Sequence, residues 1–180
     1  MATILTILPE GFEEIEAVTP IDLWRRAGFK VQTITLTSRK EVTGRSGITI
    51  QADLPWGAIK PEQSFDALFI PGGPGVNKLR ESPDVRELVG QHFAAGSWII
   101  AICAAPLVLK DAGLLDGRKF TAHPTVEAEL RGILMDEPVV VDEKIVTSKG
   151  AGTSVDVGLK VIELLGGEKL AEDVALSICA

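Results

Sequence analysis

The chain has 180 residues, of which 46% are apolar and 24% are charged, a composition close to that of an average soluble globular protein. This length and composition predict one domain and exclude an intrinsically disordered chain, a collagen-like repeat and a coiled coil. The formal net charge of −7 disfavours nucleic acid as the main partner. Two cysteines are too few for a disulfide framework, which favours a reducing compartment.

One uncharged stretch is long enough to span a bilayer, because no Asp, Glu, Lys or Arg occurs from Leu88 to Leu109. Glycines and a proline divide this stretch, so we expect two buried elements of a soluble fold rather than a transmembrane helix. The N-terminus has no basic leader and meets glutamates from Glu10 onward, unlike a signal peptide. The sequence therefore predicts a cytoplasmic protein with no membrane contact.

Short β-branched runs alternate with longer helical patterns along the chain. The predicted elements, in chain order, are strand 3–8, helix 13–27, strand 31–36, a hairpin around residues 44–50, strand 67–70, helix 84–95, strand 98–102, helix 105–115, strand 119–122, a short helix from residue 125, a hairpin over 139–147 with its tip at 142–144, and helices 154–165 and 168–177. Pro20 interrupts the first helical pattern, so that helix either begins there or is kinked.

Strands that are apolar throughout and alternate with helices indicate a parallel sheet covered on both faces. We therefore predict a single α/β domain over residues 1–180, with a doubly wound, mostly parallel sheet. In this architecture ligands bind outside the carboxyl ends of the strands. The residues that directly follow each strand are the candidates for a functional site.

Two of these strand ends are acidic or glycine-rich. The first predicted strand leads into a turn with four glutamates, of which Glu16 falls beside the apolar helix face while the others suit a solvated first turn. The strand at 67–70 ends in a proline- and glycine-rich segment, residues 71–75, where backbone N–H groups can point at a ligand. The same segment is also compatible with a simple tight turn.

The third strand end carries Cys103, where the strand at 98–102 runs directly into a helix. This is the arrangement of a nucleophile elbow, with cysteine where hydrolases often have serine. We expect the helix N-terminus to lower the pKa of the thiol and favour the thiolate. The alternative is a buried structural cysteine, a common state for free cysteines.

His123 follows the next predicted strand, and neighbouring parallel strands would bring it near Cys103 as a Cys–His pair. His92 lies in a helical pattern without a partner and is predicted to be on the surface, and Cys179 is predicted to be a packing or incidental thiol. The spacing of the two histidines disfavours a zinc site, so no metal is predicted. The loop at 150–154 departs from a dinucleotide-binding motif and is interpreted as a strand–helix turn at the same edge.

Six segments together resemble the ThiJ/PfpI superfamily, and within it the branch that contains the parkinsonism-associated deglycase. They are residues 11–18 (GFEEIEAV), 25–28 (RRAG), 71–73 (PGG), 101–106 (AICAAP), 121–124 (TAHP) and 147–154 (TSKGAGTS). The resemblance covers essentially the whole chain in order. It implies a flavodoxin-like fold, a homodimer, and a reactive cysteine that needs no cofactor.

The resemblance also assigns expected roles to individual residues. Cys103 is similar to the nucleophile, Glu16 to a protonated glutamate that hydrogen-bonds it, and His123 to the histidine of this branch. Backbone oxyanion-binding groups are implied at Gly72, Gly73 and Ala104, and arginines around the site or the dimer interface at Arg26 and Arg45. Lys149 stands where the branch often has arginine.

The sequence thus favours a cysteine enzyme that acts on reactive dicarbonyls, of the glyoxalase or deglycase type, with a small aldehyde or dicarbonyl as substrate. One alternative is a redox sensor or chaperone whose Cys103 is oxidised to sulfinic acid. An intracellular protease or amidase is disfavoured because such relatives carry histidine directly after the cysteine, where this chain has Ala104. A non-catalytic flavin-binding module is disfavoured because no aromatic-rich loop suited to flavin stacking occurs in the sequence.

Overall fold

A six-stranded sheet organises the chain, and the computed structural model describes residues 1–59 and 63–180. The strands are β1 (Thr3–Leu8), β2 (Lys30–Thr35), β3 (Glu41–Thr43), β4 (Thr49–Gln51), β5 (Ala67–Ile70), β6 (Trp98–Ile102), β7 (Lys119–Phe120), β8 (Ile133–Leu134), β9 (Val139–Asp142) and β10 (Ile145–Ser148). The α-helices are α1 (Glu14–Arg26), α2 (Val76–Glu81), α3 (Pro83–Ala94), α4 (Pro106–Asp111), α5 (Ser154–Gly166) and α6 (Glu168–Ser177).

The main sheet has the strand order β2-β1-β5-β6-β10-β9. Its neighbouring strands run parallel, except for the antiparallel pair of β9 and β10 at one edge. In the register, Ile70 of β5 pairs with Ala101 of β6, and Ile102 pairs with Ser148 of β10. The carboxyl ends of these three strands therefore lie at the same level, and the prediction of a doubly wound, mostly parallel sheet is confirmed.

Apolar residues are buried on both faces of this sheet. Leu68 and Phe69 are consecutive in β5 and both fully buried, but they belong to two different apolar clusters. Side chains of α2, α3 and α4 complete one cluster, and side chains of α1, α5 and α6 complete the other. Alternate strand residues point to opposite faces, so a strand buried on both faces has the continuous apolar sequence from which the parallel sheet was predicted.

The uncharged stretch from Leu88 to Leu109 divides as expected, because it contains the end of α3, the whole of β6 and the start of α4. Among the helices of the described residues, none combines the length and the apolar character that a membrane crossing needs.

Several predicted boundaries differ from the structure. Helix α1 continues through Pro20 rather than beginning there. Helix α2, six residues long, was not predicted, and α4 ends at Asp111 because the chain turns at Gly113, whose φ is 73°. The expected short helix after Thr125 is a single 3₁₀ turn at Glu127–Glu129.

The predicted placement of the strand before His123 is wrong. This strand, β7, pairs with β8 in a separate two-stranded sheet and does not join the main sheet. The neighbours of β6 are β5 and β10. His123 therefore reaches Cys103 through a loop that crosses the carboxyl edge, and not from an adjacent parallel strand.

Candidate active site

Loops from four strands meet at the carboxyl edge of the main sheet. Cys103 directly follows β6, Gly72 and Gly73 follow β5, and Gly150 follows β10. Glu16 lies in the first turn of α1, the helix that follows β1. The edge at which the fold class places ligands thus contains the predicted nucleophile, its predicted carboxylate and a glycine-rich loop.

Cys103 has a φ of 65°, the left-handed conformation that residues other than glycine rarely adopt. Such a conformation costs about 1–3 kcal/mol and persists where the surroundings hold it. Here the N–H of Cys103 donates to the carbonyl of Ser148 at 2.9 Å, and its carbonyl accepts the N–H of His123 at 2.9 Å. The chain then enters α4 at Pro106, so the local path is the predicted strand-to-helix elbow.

Glu16 is a buried carboxyl group, with 1% of its surface exposed. Its Oε2 accepts the N–H of Gly72 at 3.0 Å, and the carboxyl lies close enough to Cys103 to interact with the thiol by hydrogen bonding and by charge. A Cβ atom at position 72 would lie 2.4 Å from Oε2 and 2.6 Å from the Cβ of Cys103. A side chain at position 72 would therefore overlap both groups.

Two of the three expected oxyanion donors face the cysteine. The N–H groups of Gly73 and Ala104 act as hydrogen-bond donors toward the Cys103 sulfur and lower the pKa of its thiol. The N–H of Gly72 instead binds Glu16. Gly72 therefore positions the carboxyl, and Gly73 and Ala104 are the groups that can stabilise negative charge on the sulfur or on an oxygen bound beside it.

Burial dominates the ionisation of both groups. It raises the pKa of Glu16 to about 7, against hydrogen bonds from Cys103 and from the N–H of Gly72 that lower it. Burial also raises the pKa of the Cys103 thiol, and the negative charge of Glu16 raises it further. The expectation that the helix N-terminus would lower the pKa of this thiol is wrong, because burial and Glu16 outweigh the N–H groups that lower it.

The two groups are linked through their protons. When Glu16 is protonated, the charge that raises the pKa of the thiol disappears, and the carboxyl becomes a donor that can bind a thiolate. A thiolate at Cys103 is therefore favoured when Glu16 is neutral. This arrangement places the sulfur of Cys103 beside a carboxylic acid that can deliver or accept a proton.

The imidazole of His123 and the carboxyl of Glu16 both lie near Gly150. A Cβ atom added at Gly150 would be 3.5 Å from Cδ2 of the imidazole and 3.9 Å from Oε1 of Glu16. The Nδ1 atom of His123 lies 2.8 Å from the hydroxyl of Thr125 and accepts the Thr125 N–H at 3.3 Å. As the acceptor of this N–H, Nδ1 carries no proton, so the N–H donor of the ring is Nε2, which is adjacent to the carbon near Gly150.

Arg45 reaches this region from the hairpin of β3 and β4. Its guanidinium lies 3.3 Å from the carboxylate of Glu13, and its positive charge lowers the pKa of Glu16 while Glu13 raises it. The turn that carries Arg45 is held by Glu14, whose Oε1 accepts the N–H groups of Ser46 at 2.8 Å and Ile48 at 3.4 Å. No sequence pattern indicated that these glutamates contact a hairpin.

Arg26 does not belong to the site. It lies ten residues beyond Glu16 in α1, about 15 Å along the helix axis, and it forms a surface ion pair with Asp22 at 2.7 Å. Its predicted role at a dimer interface stays a prediction. Lys149 pairs with Asp136 at the surface, and Cys179 is exposed near the C-terminus.

Within the part of the chain that the structure describes, no group of three His, Cys, Asp or Glu side chains is arranged to hold a metal ion. The chemistry that the site can perform with its own groups is addition of a thiolate to an electrophile, with proton transfer by Glu16.

The raised pKa of Glu16 predicts a pH-dependent effect on stability. Glu16 stays protonated up to pH about 7 in the folded protein but ionises near pH 4.3 in the unfolded chain, so its contribution to stability is present at low pH and lost as the pH rises toward 7. Glu16→Gln cannot ionise. Between pH 5 and 7, the unfolding free energy of the wild type should therefore fall relative to the variant by about 1 kcal/mol per pH unit, measured by urea unfolding.

Glu172→Gln, on the exposed surface of α6, serves as the matched control and should follow the wild type across this range. If Glu16→Gln and the wild type give parallel curves of unfolding free energy against pH, the folded protein does not hold the Glu16 proton and the assignment is wrong.

Known proteins resemble this chain in sequence and in fold. The family model of the DJ-1/PfpI family matches residues 2–164. A Caenorhabditis elegans protein named glutathione-independent glyoxalase DJR-1.2 is 33% identical, over 99% of this chain and 96% of its own. The crystal structure of Drosophila melanogaster DJ-1beta has a TM-score of 0.95 at 33% identity, covering 99% of this chain and 98% of its own, and Toxoplasma gondii DJ-1, described as oxidized, has a TM-score of 0.91 at 35% identity, covering 99% and 98%. The chain belongs to the DJ-1/PfpI family, as its sequence motifs indicated.

Proposed function

We propose that this protein is a cofactor-independent cysteine enzyme that converts reactive dicarbonyls to hydroxy acids, with methylglyoxal to lactate as the reference reaction. The observation that carries this proposal is the placement of Cys103, on a strained elbow, beside a buried Glu16 that keeps a proton up to pH about 7. The similarity to a protein named as a glutathione-independent glyoxalase supports the same reaction class.

The first proposed step is addition of the thiolate to the aldehyde carbon. A bond forms between the Cys103 sulfur and this carbon, and the electron pair of the C=O bond moves to the oxygen. The N–H groups of Gly73 and Ala104, which already face the sulfur, would stabilise the resulting alkoxide. One donor of this kind commonly contributes about 10²–10³ in rate. Proton transfer from Glu16 to the alkoxide then gives a hemithioacetal.

The second step moves a proton between the two carbons. Glu16, now a carboxylate, removes the proton from the former aldehyde carbon, and an enediol forms when the neighbouring ketone oxygen is protonated. Glu16 returns its proton to the second carbon, and the hydroxyl on the first carbon loses the proton that the ketone oxygen gained, which gives a thioester of the hydroxy acid. One carbon is thereby oxidised and the other is reduced. Water then hydrolyses the thioester to lactate and the free thiol. A pKa of about 7 for Glu16 suits it to both proton transfers near neutral pH.

His123 has a supporting role in this proposal. Its Nε2–H is adjacent to the ring carbon that faces Gly150, on the same side as Oε1 of Glu16. It can therefore donate a hydrogen bond to the second oxygen of a bound dicarbonyl, or take part in the proton transfer together with Glu16. The proposal extends to early glycation adducts of the same dicarbonyls, and to a protective role in the cytoplasm, where a free thiol stays reduced.

Replacement of the nucleophile tests the proposed function directly. Cys103→Ser should reduce the formation of lactate from methylglyoxal by about 10³-fold or more, because the hydroxyl is a far weaker nucleophile than the thiolate. Lactate is measured enzymatically after removal of the protein. Cys179→Ser, which changes the exposed second thiol, should retain wild-type activity. Substantial lactate formation by the Cys103→Ser protein would exclude Cys103 as the nucleophile.

A second candidate function is redox sensing, favoured by the same protonated carboxyl. Peroxide oxidises a thiolate to sulfenate and a second equivalent gives sulfinate, with release of water in each step. A neutral Glu16 beside the sulfur can donate a hydrogen bond to a sulfinate oxygen. The name of the similar Toxoplasma gondii structure records an oxidised protein.

Mild peroxide distinguishes the two candidates. For a sensor, intact-mass and peptide mass spectrometry should show a gain of two oxygen atoms at Cys103 in the wild type. In Glu16→Leu, which cannot donate the hydrogen bond, Cys103 should not accumulate as the sulfinate with two added oxygen atoms. Stoichiometric conversion without measurable dicarbonyl turnover would favour the sensor, and turnover without selective oxidation would favour the enzyme.

We further propose that the protein is a homodimer, formed through a surface next to the site. Ile15, Val18 and Ile48 are about half exposed, and the hydrogen bond from Ile48 N–H to Glu14 places the hairpin turn against the first turn of α1. An apolar patch of this kind is typical of an interface. Arg26 lies on the same helix face, about three turns beyond Ile15 and about two turns beyond Val18.

Sedimentation velocity tests the dimer. The wild type should sediment as a dimer, and Val18→Lys should shift it toward the monomer because a charge would be buried at the interface. Leu176→Lys changes a more exposed leucine in α6 and should leave the dimer intact. A wild type that is monomeric at micromolar concentration, or equal effects of both variants, would contradict this interface.

A further inference from the structure

Gly150 lies next to two ionisable groups of the site, His123 and Glu16. A Cβ atom at this position would lie 3.5 Å from Cδ2 of His123 and 3.9 Å from Oε1 of Glu16. Both distances are ordinary van der Waals contacts, so the glycine leaves a gap that one methyl group would fill. The backbone does not require glycine, because a φ of 164° and a ψ of −166° are extended values that other residues adopt.

Two other glycines of the site region show how specific this gap is. A Cβ atom at Gly72 would overlap Glu16 at 2.4 Å, whereas one at Gly152 would have no described atom within 4 Å. Gly72 is therefore required by packing, and Gly152 borders open space. At Gly150 a methyl group is tolerated but would occupy the space between His123 and Glu16.

The geometry of the addition step directs part of the substrate into this gap. The aldehyde carbon must approach the sulfur to about 3–3.5 Å, with its oxygen toward the N–H groups of Gly73 and Ala104 that face the sulfur. Oε2 of Glu16 is bound to the N–H of Gly72, so Oε1 is the oxygen left to exchange protons with the substrate. Since Oε1 lies near Gly150, we expect the part of the dicarbonyl beyond its aldehyde carbon to extend along Gly150 toward His123.

We propose that Gly150 is a specificity-determining residue, which limits the size of the substituent on the second carbonyl of the dicarbonyl. The inference rests on the proposed dicarbonyl reaction. With glycine, this gap adds to the space for a substituent next to the second carbonyl. With alanine, the added methyl group would take this space and leave room for hydrogen alone.

A substrate series tests this role. Gly150→Ala should keep kcat/KM for glyoxal within about 2-fold of the wild type. For methylglyoxal we expect a loss of about 10-fold or more, the usual effect of one misplaced methyl group in a pocket, and for phenylglyoxal a larger loss. Gly152→Ala, in the same turn, should leave all three values within about 2-fold. Equal losses for all three dicarbonyls, or no loss for any, would overturn the proposal.

A second measurement separates this proposal from the reaction on which it rests. In a Cys179→Ser background, alkylation of Cys103 is followed by mass spectrometry with iodoacetamide and with the bulkier N-phenylmaleimide. Gly150→Ala should leave the rate with iodoacetamide, and its dependence on pH, within about 2-fold, because the pair of Glu16 and Cys103 is unchanged. The rate with N-phenylmaleimide should fall by about 10-fold.

The two experiments have distinct outcomes. If the wild type turns over none of the dicarbonyls but the alkylation rates differ as expected, the proposed reaction fails and the steric role of Gly150 holds. If both reagents slow equally, or the iodoacetamide pH profile shifts, Gly150→Ala acts on the ionisable pair and the proposed role in specificity is wrong.

Discussion

The rest of the site depends on one constraint, which is that two acidic groups share a buried space that favours a single negative charge. Glu16 has almost no solvent exposure, and its charge raises the pKa of the adjacent Cys103 thiol. Either group can ionise more easily when the other is neutral. The neighbouring groups are arranged around this shared proton: the N–H of Gly72 holds the carboxyl, and the N–H groups of Gly73 and Ala104 face the sulfur.

The sheet supplies the rigidity that this constraint needs. Because β5, β6 and β10 are parallel and paired in a fixed register, their carboxyl ends lie at one level. The hydrogen bond from Cys103 N–H to Ser148 O continues the pairing of β6 and β10 one residue beyond the strands. A slip of one residue would turn every buried side chain to the opposite face, so the apolar clusters on both faces also fix the position of Cys103.

The features that local residue patterns determine could be predicted from the sequence. Continuous apolar runs predicted the strands of the main sheet. The segments that follow these runs contain Cys103, Gly73 and Glu16, which were therefore predicted to lie at a functional site. Residue patterns could not show which strand lies next to β6, because a strand of only two residues, such as β7, is too short for its sequence to indicate its partner strand. Nor could it predict the pKa of Cys103, since the local helix N-terminus was visible in the sequence while burial and the charge of Glu16 arise from tertiary packing.

In the proposed role of Gly150, the backbone, more than the side chains, determines which molecules this site accepts. The groups that face the sulfur are main-chain N–H donors, which every residue except proline provides, so substitutions around them can preserve the charge stabilisation. The space available beside the sulfur depends on glycines. Gly72 leaves room for the carboxyl of Glu16, and Gly150 leaves a gap next to that carboxyl and His123. Proteins that keep the same cysteine and glutamate can therefore differ in substrate size through single small residues at the ends of strands, without any change in the chemistry of the thiol.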